Sequence, residues 1–73
     1  MSLAKQKAAN SYIRSIGLVV DYHIPAGVAN IVLGHNIHHE SCLRDTTKYL
    51  RSEGVKIDDD QIVSLIDVVR ASA

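Results

Sequence analysis

Large aromatics are nearly missing from this chain. It has no Trp and no Phe, and only 3 Tyr, while 47% of its residues are hydrophobic. A core made from it has to be aliphatic, built of Ile, Val, Leu and Ala. There is 1 Cys, which excludes an internal disulfide and gives no reason to expect an oxidising compartment. Charge of one sign is missing too: 8 Lys and Arg against 8 Asp and Glu leave a formal net charge of zero. That removes the general electrostatic footprint of a nucleic-acid binder. Long hydrophobic runs are also absent. Ile16 to Val20, counting Gly17, is far short of the roughly 20 residues that cross a bilayer. The start MSLAKQKAAN carries lysines, but no apolar h-region follows closely, so no secretory leader is expected. These absences predict a cytoplasmic protein with no membrane span and no nucleic-acid partner. The 73 residues make a single small domain, 1–73. A chain this short buries a modest fraction of its surface, so a marginal monomer or an oligomer is expected.

What is present is helical punctuation, best developed between Leu43 and Val69. LRDTTKYLRSE leads into Gly54, and VKIDDDQIVSLIDVV follows. Gly54 stands where a helix ends in a left-handed residue, a conformation glycine adopts without a Cβ penalty. With Glu53 as C-cap, Leu50 and Val55 are the two positions that touch in a Schellman ending. The next helix has its own start signals. Asp58 is the N-cap, Gln61 closes a variant capping box, and Ile57 and Ile62 form a hydrophobic staple. Ile62, Leu65, Ile66 and Val69 then share one helical face. Leu43, Thr46, Thr47 and Leu50 make the matching stripe on the helix before it. Asp58, Asp59 and Asp60 suit the positive end of a helix dipole. They lack the alternating ligands, mid-loop glycine and terminal glutamate of an EF-hand loop, so capping explains them better than a cation site.

The rest of the chain is arranged around this hairpin. Residues 3–22 read as a first helix, from good helix formers at 4–9 and helical spacing of Ala9, Tyr12, Ile13, Ile16, Val19, Val20 and His23. A strand over 18–22 is the competing reading, because valine and tyrosine favour strands. Pro25 limits the first helix and opens a short second one at N1. Gly34 is the expected stop. Asn36 then caps a third helix, running from about Ile37 to Glu53. The expected fold is all-α: a small bundle of three long helices plus one short helix, with a C-terminal helical hairpin.

One stretch is chemically loaded: His35-Asn36-Ile37-His38-His39-Glu40-Ser41-Cys42. His35 and His39 are four apart, as are His38 and Cys42, and such pairs share a helix face that can hold a transition metal. Imidazole and thiolate suit Zn²⁺, Ni²⁺ or Cu²⁺. The candidate metal ligands are therefore His35, His38, His39 and Cys42, with zinc the candidate cofactor. A structural site needs four ligands, and one helix face offers two. Polar residues at a helix start are the simpler explanation. Cys42 as a nucleophile would need an oxyanion hole and a cleft that a lone helix face does not provide.

The C-terminal half resembles a known family. Tyr49-Leu50, then Gly54-Val55-Lys56-Ile57-Asp58, then Ile62 and Leu65-Ile66-Asp67-Val68-Val69 is similar to the C-terminal soluble region of phage holins of the Lactobacillus phage LL-H type. Those end in a helix, a "YL…GI-x-I" turn and a helix reading roughly "I-x-x-LIEAAV". The likeness covers about residues 43–70. Asp67 stands where Glu is usual, Val68 replaces alanine, and the holin membrane helix has no counterpart. The resemblance implies a phage or prophage origin and a helical accessory domain, without implying pore formation.

The function expected from all this is a non-enzymatic helical protein-interaction or oligomerisation module, phage- or prophage-derived. The alternative is a small metal-binding helical domain using the 35–42 cluster. A helix-turn-helix regulator fits least, since the last helix carries Arg70 as its one positive charge against aspartates at 58, 59, 60 and 67. Val28, Ile31, Val32 and Leu33 are apolar around most of a helix, more than one small core is expected to cover. They are the expected homodimer interface, extended by Ile13, Ile16 and Val20.

Overall fold

A computed structural model describes residues 3–35 and 39–72. Four helices lie among them: α1 (Leu3–Ser15), α2 (His23–Gly34), α3 (His39–Ser52) and α4 (Asp59–Ala71). Their lengths are 13, 12, 14 and 13 residues, so α2 is not the short element expected. None is long and apolar enough to cross a membrane.

Two glycines do the same job at two corners. Gly54 has φ +77; its N–H donates to the Arg51 carbonyl at 3.1 Å, and the Val55 N–H donates to the Leu50 carbonyl at 3.0 Å. That is the Schellman ending expected there. Gly17 has φ +87, with Gly17 N–H to Arg14 at 3.0 Å and Leu18 N–H to Ile13 at 3.2 Å. This second ending cuts α1 off at Ser15, well before the expected Tyr22. Residues 18–21 are neither helix nor strand, so both readings of that stretch are corrected. The helical spacing of Ile16 and Val20 misled because it continues by chance beyond the stop. Both side chains pack on the core from the loop instead.

The other boundaries follow local chemistry. Pro25 is the third residue of α2, not the first; its missing N–H is still harmless because the opening turn has no carbonyl to bond to. Gly34 is the last helical residue rather than a left-handed stop. The cap is His35, at φ −123, donating its N–H to the Val32 carbonyl at 3.2 Å. The Asn36 cap and Ile37 lie outside the described residues. At α4 the capping box is present, with the Asp58 N–H donating to Gln61 Oε1 at 3.0 Å. Ile57 and Ile62, the expected staple, are both buried.

Packing explains why α2 needs no partner to cover it. Among the described residues α2 and α4 each pack against all three other helices, while α1 and α3 do not meet. The two form the diagonal of the bundle. Ile24, Pro25, Val28, Ala29 and Val32 are therefore buried within the chain. Of the expected interface, Ile13 and Val28 are 0% exposed and Val32 is 2% exposed. Ile16, Val20 and Ile31 are partly buried against the same core, and Leu33 is 41% exposed. Most of the Val28–Leu33 stretch is thus covered within the chain, because a diagonal helix has neighbours on nearly every side. The total surface agrees: 4515 Å² against about 4,450 Å² for a compact monomer of this mass.

Polar side chains lock the helix ends. Lys5 Nζ donates to the carbonyls of Val69, Arg70 and Ser72 at 3.1, 3.3 and 2.8 Å. A cation is thereby placed at the negative end of the α4 dipole. Arg51 spans the α3–α4 turn, with Nη1 donating to the Ile57 carbonyl at 3.1 Å and Nη2 to Asp59 Oδ1 at 3.3 Å.

Candidate interaction surfaces

The two glycine-stopped corners share one end of the bundle. There Leu18, Val19, Val20 and Asp21 line an open cleft with Ile24 and the Glu53–Lys56 turn. The 18–21 segment is held at one end by the Gly17 ending and at the other by α2, whose Ile24 N–H donates to the Asp21 carbonyl at 3.0 Å. The apolar side chains of residues 18–22 do not all turn inward. Val19 is 88% exposed and Tyr22 80% exposed.

Beside this cleft α2 is clamped to α3. His23 Nε2 and Glu53 Oε1 are 2.7 Å apart. Tyr49 Oη donates to the His23 carbonyl at 3.3 Å. The ring of Tyr49 lies so close to Gly27 that a Cβ there would overlap it. Burial, reinforced by the Glu53 charge, pushes the Tyr49 phenol above its ordinary value. The groups are tied to each other and to backbone, which is the geometry of a clamp.

At the opposite end His35 Nε2 meets Asp45 Oδ2 at 2.8 Å, and Arg70 Nη2 donates to the His35 carbonyl at 3.2 Å. Of the four candidate metal ligands, His35 and Cys42 have described side chains. His35 is paired with a carboxylate. Cys42 is 0% exposed, its sulfur in the core 4.0 Å from Thr46 Oγ1. His38 lies outside the described residues, as does the side chain of His39. Among the described residues no three His, Cys, Asp or Glu side chains gather as a metal site. The His35–Asp45 and His23–Glu53 pairs were missed from sequence. They join α2 and its cap to α3 and the turn after it, at no recognisable spacing, and only the α2–α3 packing brings them together.

A second apolar surface runs along α3 and α4. Thr46 and Leu50, from the expected α3 stripe, are fully buried, but Leu43 is 36% exposed and Val63 43% exposed. Leu43 lines a groove with Val63, Ile66, Asp67 and Arg70. The neighbouring hollow is formed by Leu43, Arg44, Thr47, Lys48 and Asp59.

Comparison of the chain with protein-family models, with curated proteins and with solved structures gives no match. The holin resemblance therefore rests on the residues of the C-terminal half alone.

Proposed function

We propose that this protein is a non-enzymatic helical interaction module of phage or prophage origin, acting in the cytoplasm. The observation that carries the reading is the exposure of Val19 and Tyr22, 88% and 80%, on a segment pinned at both ends. An anchored apolar surface loses little conformational entropy when a partner covers it. A tyrosine at its edge offers a large rigid contact with a polar tip. The polar groups close by support the same reading, since His23, Glu53 and Tyr49 hold helices together. The phage element comes from the resemblance of residues 43–70 to the holin C-terminal region, and flanking lysis or tail genes would support it.

The test is site-directed photo-crosslinking in cells that express the protein. A photoreactive residue at Val19 is expected to yield adducts of discrete mass, lost when Tyr22→Ser is added. The same probe at Lys7, exposed on α1, is expected to yield none. Indistinguishable patterns from the two positions would overturn the reading.

A further inference from the structure

We propose that the α3–α4 face pairs with the same face of a second copy of this chain, about a twofold axis running parallel to the two helices. The proposal goes beyond the interaction reading above, which is carried by Val19 and Tyr22, and concerns a second surface of the bundle.

The face is apolar along its middle and carries opposite charges on its two rims. Leu43 and Val63, 36% and 43% exposed, form the middle with Ile66 and Thr47 at its floor. The α3 rim is positive, with Arg44 and Lys48 on the same hollow. The α4 rim is negative, with Asp59 in that hollow and Asp67 in the adjoining groove. Arg70 is the exception on α4, and its guanidinium is turned to the His35 carbonyl.

This pattern selects one way of pairing. A twofold axis across the helices would set α3 on α3 and α4 on α4, bringing like charges together. An axis parallel to them sets α3 of one chain on α4 of the other while keeping each residue at its own height. Leu43 shares its groove with Val63 and Asp67, and Lys48 shares its hollow with Asp59, so heights match. Leu43 then meets the second copy's Val63, Arg44 approaches its Asp67, and Lys48 approaches its Asp59. Every contact occurs twice, as an isologous interface requires, and unlike charges meet at both rims. An ordinary interface takes about 800 Å² from each partner. That is a modest part of the 4515 Å² surface, and one side of two adjacent helices supplies area of that order.

Arg44 is a suitable probe because its side chain is 74% exposed, and Asp67 is exposed too, so neither change should touch the core. In sedimentation equilibrium at hundreds of micromolar and low salt, wild type is expected to approach twice its 8.0 kDa mass. Arg44→Glu alone and Asp67→Lys alone should each raise the dimer dissociation constant about tenfold, each placing two like-charge contacts in the interface. Mixing the two single variants should restore the dimer, because in the mixed pair both contacts again join opposite charges. Wild type at 8.0 kDa throughout, or a dimer insensitive to either change and to mixing, would overturn the proposal. In those cases discrete Val19 adducts would leave the interaction reading standing, and their loss would end it.

Discussion

Gly27→Ala should destabilise this protein although it sits inside a helix, where alanine is ordinarily the better residue. Alone, the exchange favours the helix by about 1 kcal/mol. The obstacle is Tyr49. A Cβ on residue 27 would lie 2.8 Å from Cε2 of that ring and nearer still to Cζ and Oη. The ring is packed against the core, and its hydroxyl is bonded to the His23 carbonyl. To make room it must swing away, giving up that hydrogen bond and part of its packing. Overpacking of this kind costs about 1–3 kcal/mol, and the lost hydrogen bond about 1 kcal/mol. Set against the propensity gain, the net loss is about 1–3 kcal/mol. For a domain of this size each kcal/mol moves Tm by about 4–8 °C, so thermal melts by circular dichroism will resolve it. The decisive comparison is with Tyr49→Ala as background. There the obstacle is gone, and Gly27→Ala should raise stability by about 1 kcal/mol. A reversal of sign between backgrounds is the expected result. A rise in Tm in both backgrounds would refute the placement of Tyr49 over Gly27.

The glycines also divide by backbone conformation: Gly17→Ala should cost about 1–2 kcal/mol for a side chain at positive φ, whereas Gly34→Ala, in the last turn of α2 with open space around it, should gain about 0.5 kcal/mol in urea melts. Asp58→Ala should cost about 1 kcal/mol through loss of the α4 cap, and a near-zero change would mean that the box contributes nothing. Tyr49 makes stability depend on pH at the alkaline end: its folded pKa lies above the unfolded value near 10, so its contribution is complete below that pH and falls as pH rises through the folded pKa. Tyr49→Phe should flatten that fall in melts taken above pH 10. Zinc held by His35, His38, His39 and Cys42 would raise Tm, with His39→Ala removing the gain; an unchanged Tm with excess zinc would dismiss the metal-binding alternative.

Sequence by itself determined the features whose causes lie within a few residues. The Gly54 ending, the Asp58–Gln61 box and the apolar face of α4 depend on spacings of three or four positions, and they stand where the sequence puts them. The all-helical class follows from the same local periodicity. Gly17 marks the limit of such reasoning. It carries the same left-handed stop as Gly54, but no cap or charged turn follows it, and the apolar spacing runs on to Val20. A helix continued through glycine and one ended by it were therefore locally alike.

Tertiary structure decided the rest. It set α2 on the diagonal of the bundle, so Val28 and Val32 are covered by the chain's own helices and the exposed apolar surface moves to Val19 and Tyr22 and to Leu43 and Val63. It also separated the histidine-cysteine stretch in function. Cys42, on α3, faces the core, while His35, the cap at the end of α2, turns to Asp45 of α3. Periodicity shows that a side chain needs cover; which neighbour provides it depends on how four helices of nearly equal length cross, and no single helix encodes that.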